Sequence, residues 1–300
     1  VTTYYAIGAL RSGRGYKADS ISTITFKKGT DAPTGTESTW NVSYDKSKME
    51  VLAFAVPSST VSGKYDLYIG TTGDQICLPA SAVEFFAYYT NLTEIKGIEL
   101  LDSSDVTDMR AMFYGDTNLK SIDLSAFNTT KLTSTWDMFN GCTSITSIDL
   151  SSFNTSNVQY FIWMFYNCKN LKILKINKNT FTTSNVTNMS RMFYNCSSLA
   201  EIDVSNFDTT KVTTMEAMFY NCSSVLSLDV SNFNTINSTS MWAMFYNCNK
   251  IEKLDLNKFN TSNVTNMAYM FSSCSNLKHI VLGSNFDTTK VTTMKNMFAS

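Results

Sequence analysis

From Leu199 to Cys222 the spacing of apolar residues changes period. Ile202 and Val204 alternate around Asp203, the two-residue period of a strand with Asp203 on the opposite face. A polar turn, Asp208-Thr-Thr-Lys211, follows Phe207. Met215, Met218, Phe219 and Cys222 then stand at i, i+3, i+4 and i+7, the spacing of one face of a two-turn helix, with Thr213 or Thr214 as its N-cap. The unit predicted is therefore a short strand, a turn and a short helix.

This unit recurs. Met-Phe pairs stand at 112–113, 138–139, 164–165, 192–193, 218–219, 244–245, 270–271 and 297–298, and Phe85-Phe86 is a degenerate earlier copy. The steps between the pairs are 26, 26, 28, 26, 26, 26 and 27 residues. A period of this length marks an array in which each unit buries its apolar face only against its neighbours. Two extra residues after Ile176 and one after Leu282 fall where a loop absorbs them, and the same two copies carry Lys175 and Val281 in place of the strand Asp. The expected fold is an α/β repeat solenoid over residues 81–300, with about eight coils of about 26 residues, each a short parallel strand plus a short helical turn.

Aligned copies expose their columns. The residue before each Cys is Gly141, Asn167, Asn195, Asn221, Asn247 or Ser273, which reads as a left-handed position closing the helical turn. Asp208 with Lys211 and Asp287 with Lys290 alternate with Asn154–Asn157 and Asn260–Asn263, so the paired charges are expected to meet. Asn128 with Lys131 breaks that rule. Residues 1–80 do not repeat. Ser20–Phe26, Met49–Val56 and Lys64–Ile69 are β-branched and aromatic runs between turn residues, which predicts a β-rich N-terminal cap, and Ser12–Gly15 reads as a mobile loop. The chain stops at Ala299-Ser300 without a comparable C-terminal cap, and any leader peptide is expected to have been removed.

Composition narrows the function. With 24 Lys+Arg against 25 Asp+Glu the chain lacks the basic excess of a general nucleic-acid binder. Apolar residues at 43% exclude a disordered tail, and no run is long enough for a membrane helix. One His cannot build a histidine-ligated metal site, and no cofactor is implied. Cys142, Cys168, Cys196, Cys222, Cys248 and Cys274 form one column on the Met and Phe face, without any C-x-x-C pair. They read as a ladder of buried thiols, with Cys77 outside it and unpaired.

Three sets of residues are candidates for ligand binding. Asp203, Asp229 and Asp255 line one face together with Lys175, which is expected to separate Asp149 from Asp203. The competing reading is that each carboxylate serves its own turn. Tyr114, Tyr166, Tyr194, Tyr220 and Tyr246 form an aromatic column. Trp136, Trp163 and Trp242 lie in the helical segments outside the repeat frame, where folding alone does not call for them. A carbohydrate-active enzyme would need carboxylates in an irregular cleft, and the Asp residues are repeat-locked instead.

The frame around Leu254-Asp-Leu-Asn-Lys-Phe-Asn-Thr-Ser-Asn-Val-Thr-Asn-Met267, continuing through Met270-Phe271 and Cys274, resembles the BspA-like leucine-rich repeats of bacterial surface proteins. Trp40-Asn-Val-Ser43 and Tyr65-Asp-Leu-Tyr-Ile69 are similar to the segment such proteins carry ahead of their repeats. The resemblance implies an extracellular, surface-attached, non-enzymatic protein that adheres to a host or neighbouring-cell protein or glycan. A filament subunit joined end to end is the alternative.

Overall fold

The β-branched and aromatic runs of the first third form a sheet, because such side chains pack well on a pleated surface. A computed structural model describes residues 4–6, 16–43 and 50–299. The Ser12–Gly15 segment and Met49 lie outside the described residues. Five strands order as β3-β4-β5-β2-β7: β2 (Ile21–Lys28), β3 (Ser38–Asn41), β4 (Val51–Pro57), β5 (Tyr65–Thr71) and β7 (Glu94–Lys96). β4 runs antiparallel to β3 and β5, while β5 and β7 flank β2 in parallel. Val51 to Ala55 are all buried, so β4 is covered on both faces. A second parallel set joins β1 (Tyr4–Ala6), β6 (Gln75–Cys77) and β8 (Leu101–Asp102).

The sheet is continuous with the repeats. β7 belongs to the first coil, and its pairing with β2 places Thr23 opposite Glu94 and Thr25 opposite Lys96. Gly97 closes this junction at φ 70°, where an added Cβ would stand 2.1 Å from the Phe26 carbonyl oxygen. Only glycine fits there.

Beyond residue 80 the copies stack in parallel. One bridge per coil runs Ser81, Asp108, Ser134, Tyr160, Asn188, Thr214, Ser240, Asn266 and Thr293. The Met-Phe phenylalanines form a continuous pile from Phe86 to Phe298, with ring centroids 5.3–5.9 Å apart at each step. Each ring fully buried in that pile contributes about 1.5–3 kcal/mol through area removed from water. A second, shorter pile joins Phe161, Phe181 and Phe207.

The expected helical turns are absent, which corrects the α/β assignment. Among the described residues the helical elements are two single 3₁₀ turns, Ala18–Ser20 and Ile98–Leu100, and neither lies in a Met-Phe segment. The Met-Phe segments are instead runs of tight turns. In one coil the N–H groups of Ala217, Phe219 and Asn221 donate to Trp242, Met244 and Tyr246 of the next coil at 2.8, 3.0 and 2.7 Å. The intervening N–H groups of Met218, Tyr220 and Cys222 donate three residues back, to Met215, Ala217 and Phe219, at 3.2, 3.1 and 3.1 Å. An α-helix would send all of them four residues back along its own chain. It would also need negative φ throughout, yet Ala217 and Asn221 stand at 50° and 55°. Met215, Met218, Phe219 and Cys222 are nevertheless all buried. Consecutive turns produce the same apolar face as a helix would.

The strand face also differs in part. β9 (Ser121–Asp123), β10 (Ser147–Leu150) and β11 (Ile173–Ile176) pair in parallel, as do β12 (Lys253–Leu256) and β13 (His279–Leu282). The segments carrying Asp203 and Asp229 form no strand, so the expected ladder is split in two. Side chains join the coils there: Asn206 Nδ2 donates to the Lys178 carbonyl at 3.0 Å and Asn232 Nδ2 to that of Ser205 at 3.2 Å.

Candidate functional site

Most polar columns are committed to the fold itself. Asp123, Asp149, Asp203, Asp229 and Asp255 each accept the backbone N–H two residues ahead, at 2.9–3.2 Å. This is the Asx-turn geometry, in which a short carboxylate replaces a backbone acceptor. Lys175 pairs with Asp149 at 3.1 Å, whereas Asp203 pairs with Lys178 at 2.6 Å. The Lys175 ammonium therefore pairs with one carboxylate of the column and not with both neighbours. The turn pairs do not close on themselves either. Lys211 Nζ donates to Asn185 Oδ1 of the preceding coil at 2.7 Å, Lys290 to Asn263 at 2.9 Å, and Lys131 meets Asp105 at 2.6 Å. The column partner lies one coil back, which also explains Lys131.

The thiols form a ladder without bridges, and all seven described cysteines are free. Each column Sγ donates to the Phe carbonyl of the preceding coil, for example Cys222 to Phe193 at 3.1 Å and Cys274 to Phe245 at 2.9 Å. Burial pushes the Cys142, Cys168, Cys222 and Cys248 thiols well up, and Cys274 up to about 11. Among the described residues no group of three or more His, Cys, Asp or Glu is placed to hold a metal ion.

The tyrosines and the left-handed asparagines make two further ladders side by side. Tyr166, Tyr194, Tyr220 and Tyr246 stack with centroids 4.6, 4.3 and 4.4 Å apart. Beside them the amide of Asn247 donates to Asn221, that of Asn221 to Asn195 and that of Asn195 to Asn167. The Asn167 Oδ1 end of this series accepts at 2.6 Å.

The tyrosine column is interrupted at the coil just before Asn167, where the asparagine ladder ends. Asn140 stands in the tyrosine column and Gly141 in the asparagine column, with Gly115 one coil earlier. Asn140 is buried and turns to Asp137, donating from Nδ2 to Oδ1 at 2.5 Å. Burial raises the pKa of Asp137, and the Asn140 hydrogen bond works against that rise. The side chains missing from this coil leave an open notch of about 670 Å³ lined by Tyr114, Tyr166, Trp163, Asn140, Asn167, Thr117, Thr143, Arg191 and the two glycines. That volume lies within the range of small-ligand sites.

The tryptophans gather around it unevenly. Trp136, 38% exposed, meets the edge of half-buried Trp163 at 6.5 Å, and Trp163 packs on Tyr166 at 5.9 Å. Trp242 stands apart, with the Arg191 guanidinium 5.6 Å above its ring. The Trp163 Nε1 atom is buried without a hydrogen-bond partner. Burial raises the Tyr166 pKa, Tyr194 adds to the rise, and the Arg191 charge opposes it. The Asp column lines a different, smaller groove of about 180 Å³ around Asp123, Asp149 and Lys175. Asp203, Asp229 and Asp255 line neither of these two openings.

Of the tryptophans singled out in the sequence, Trp163 lines the notch, Trp136 borders it and Trp242 does not, while the notch itself is not among the features read from the sequence. The signal was present as an interruption: the aromatic column runs Tyr114, then Asn140, then Tyr166. Periodicity reports what recurs, and a single missing ring leaves the period unchanged.

Nine parallel corners on a common frame of turns and side-chain ladders define a tandem-repeat protein. The chain belongs to the family described as Mycoplasma protein of unknown function, DUF285, which matches residues 81–201, 170–279 and 239–300. No curated protein and no solved structure matches it. Among the described residues no helix is long and apolar enough to cross a membrane.

Proposed function

We propose that this chain is the binding region of an extracellular, surface-attached protein similar to the BspA-like surface proteins, and that it engages a macromolecular ligand without catalysing a reaction. The observation that carries this reading is where the departures from the repeat fall. Trp136, Trp163, Asn140, Gly141 and Arg191 depart from their columns and line or border one notch. The repeat-locked Asp and Cys residues are held by hydrogen bonds within the fold. Variation free of the folding frame is where a partner is recognised, and aromatic residues are enriched in such contacts.

The test compares Trp136→Ala and Trp163→Ala with Asp229→Ala for binding to immobilised matrix proteins and to glycan arrays. Ala111, Ala217 and Ala243 occupy the Trp163 column in other coils, so Trp163→Ala suits the backbone there. The tryptophan variants are expected to lose binding and Asp229→Ala to keep it. The reverse pattern places recognition on the Asp face and sinks the proposal for the notch side.

A further inference from the structure

We propose that the notch is a glycan site, in which one pyranose ring of a sugar chain stacks between Tyr114 and Tyr166 in the place of the missing tyrosine. The inference rests on the surface-binding reading above and names its ligand class.

The ring-sized gap follows from the pile beneath it. Phe113, Phe139 and Phe165, which precede positions 114, 140 and 166, are spaced 5.3 and 5.7 Å apart. The phenylalanine column is complete while the tyrosine column lacks its middle member. Tyr114, tilted onto Tyr88, and Tyr166 thus stand two coils apart, and both line the notch between them. The apolar C–H faces of a pyranose suit such aromatic surfaces.

The surroundings decide between a sugar and an aromatic side chain. Thr117 and Thr143 donate their hydroxyl hydrogens to the carbonyls of Thr90 and Thr117, each at 3.2 Å, which leaves their oxygens as acceptors. Asn167 closes the amide ladder with its Oδ1 already accepting, so its Nδ2 remains as a donor. Sugar hydroxyls both donate and accept, and match this mixed set. A phenyl ring in the same place would desolvate these groups and return nothing, at a cost for each group left unsatisfied.

The repeat supplies its own control substitutions. Asn140→Tyr restores the residue that other coils carry, and Gly141→Asn restores the ladder. At Gly141, φ is 79° and the nearest atom to an added Cβ is 3.5 Å away, so the change meets no clash, and asparagine already holds this left-handed conformation at Asn167, Asn195, Asn221 and Asn247. Both variants are therefore expected to fold with the notch filled.

The experiment titrates the whole chain with methyl pyranosides of glucose, galactose, mannose and N-acetylglucosamine. It follows Trp fluorescence and the Asn167 side-chain amide by NMR, and a glycan array is run in parallel. At least one pyranoside is expected to perturb both signals. Asn140→Tyr and Gly141→Asn should abolish the response, and Tyr166→Ala should weaken it about tenfold. If the array-bound glycan is held equally well by Asn140→Tyr, or if phenol shifts the Asn167 amide while every pyranoside leaves it unmoved, the glycan assignment is overturned. Failure of the two proposals is distinguishable. Loss of pyranoside binding with retained adhesion to a matrix protein removes only the glycan site, whereas absence of adhesion to any surface removes the broader reading.

Discussion

Asp203 shows how a polar residue serves the fold at the scale of one side chain. The Lys178 ammonium and the Ser205 hydroxyl hold its carboxyl below the usual value of 3.8, as the Thr210 hydroxyl and amide do for Asp208. A carboxyl whose folded pKa is depressed stabilises the folded state above the unfolded value, and that stability disappears as pH falls through the folded value. Urea midpoints should therefore drop below about pH 4, and Lys178→Ala should make the acid limb shallower. At neutral pH that substitution should cost under about 1 kcal/mol, because the pair is exposed. The cysteines make the opposite case. Cys77 and Cys274, partly exposed and each pushed up to about 11, should label slowly in the native protein, with rates rising about tenfold per pH unit until that range. The five fully buried thiols should label only on unfolding, as mass spectrometry of alkylated peptides can read. Rapid native labelling of Cys196 or Cys222 would contradict the buried ladder.

At the scale of the element, each Met-Phe segment from Met112-Phe113 to Met270-Phe271 carries two left-handed residues four positions apart. The second of these was legible, since Gly, Asn and Ser alternate at Gly141, Asn167, Asn195, Asn221, Asn247 and Ser273 and all have positive φ. The first was not. Ala111, Asp137, Trp163, Arg191, Ala217, Ala243 and Tyr269 also have positive φ, and most of these residue types give no local hint of it. The hydrogen bonds to the next coil hold them there. Apolar spacing reports which side chains are buried and is silent about where the N–H groups go, so the core was readable while the run of turns was not. Asn221→Gly keeps the conformation and removes two ladder hydrogen bonds, for an expected loss of about 1 kcal/mol. Asn221→Val forces a β-branched residue into the left-handed region and should cost more than about 2 kcal/mol by urea denaturation. If valine proves as stable as glycine, the positive φ does not constrain this turn. Far-UV circular dichroism should lack the paired helical minima.

At the scale of the whole molecule, every coil contacts its sequence neighbours, and the stack is only as continuous as its columns. Phe139 lies at the centre of the ring pile between Phe113 and Phe165. Phe139→Ala should cost about 3–5 kcal/mol through the cavity it leaves. Hydrogen exchange should then speed up most in the coils on either side, with less change around Phe271. A uniform increase along the chain would argue for a single cooperative unit instead. Gly97→Ala tests the other long-range joint: forcing a Cβ onto the Phe26 carbonyl should loosen β7 from β2 and lower the melting temperature.

The break in the ladders also has a mechanical side. Force along the stack is carried from coil to coil through parallel bridges, stacked rings and amide bonds. A released coil of 26 residues lengthens the tether by roughly 90 Å. The rung at Asn140 and Gly141 keeps its backbone hydrogen bonds to both neighbours but lacks the tyrosine and the side-chain amide that the rungs from Tyr166 to Asn247 carry, so under tension it is expected to part before those rungs do. A sugar ring seated there would tie the adjoining rungs together, and a filled notch would then yield at a higher force than an empty one.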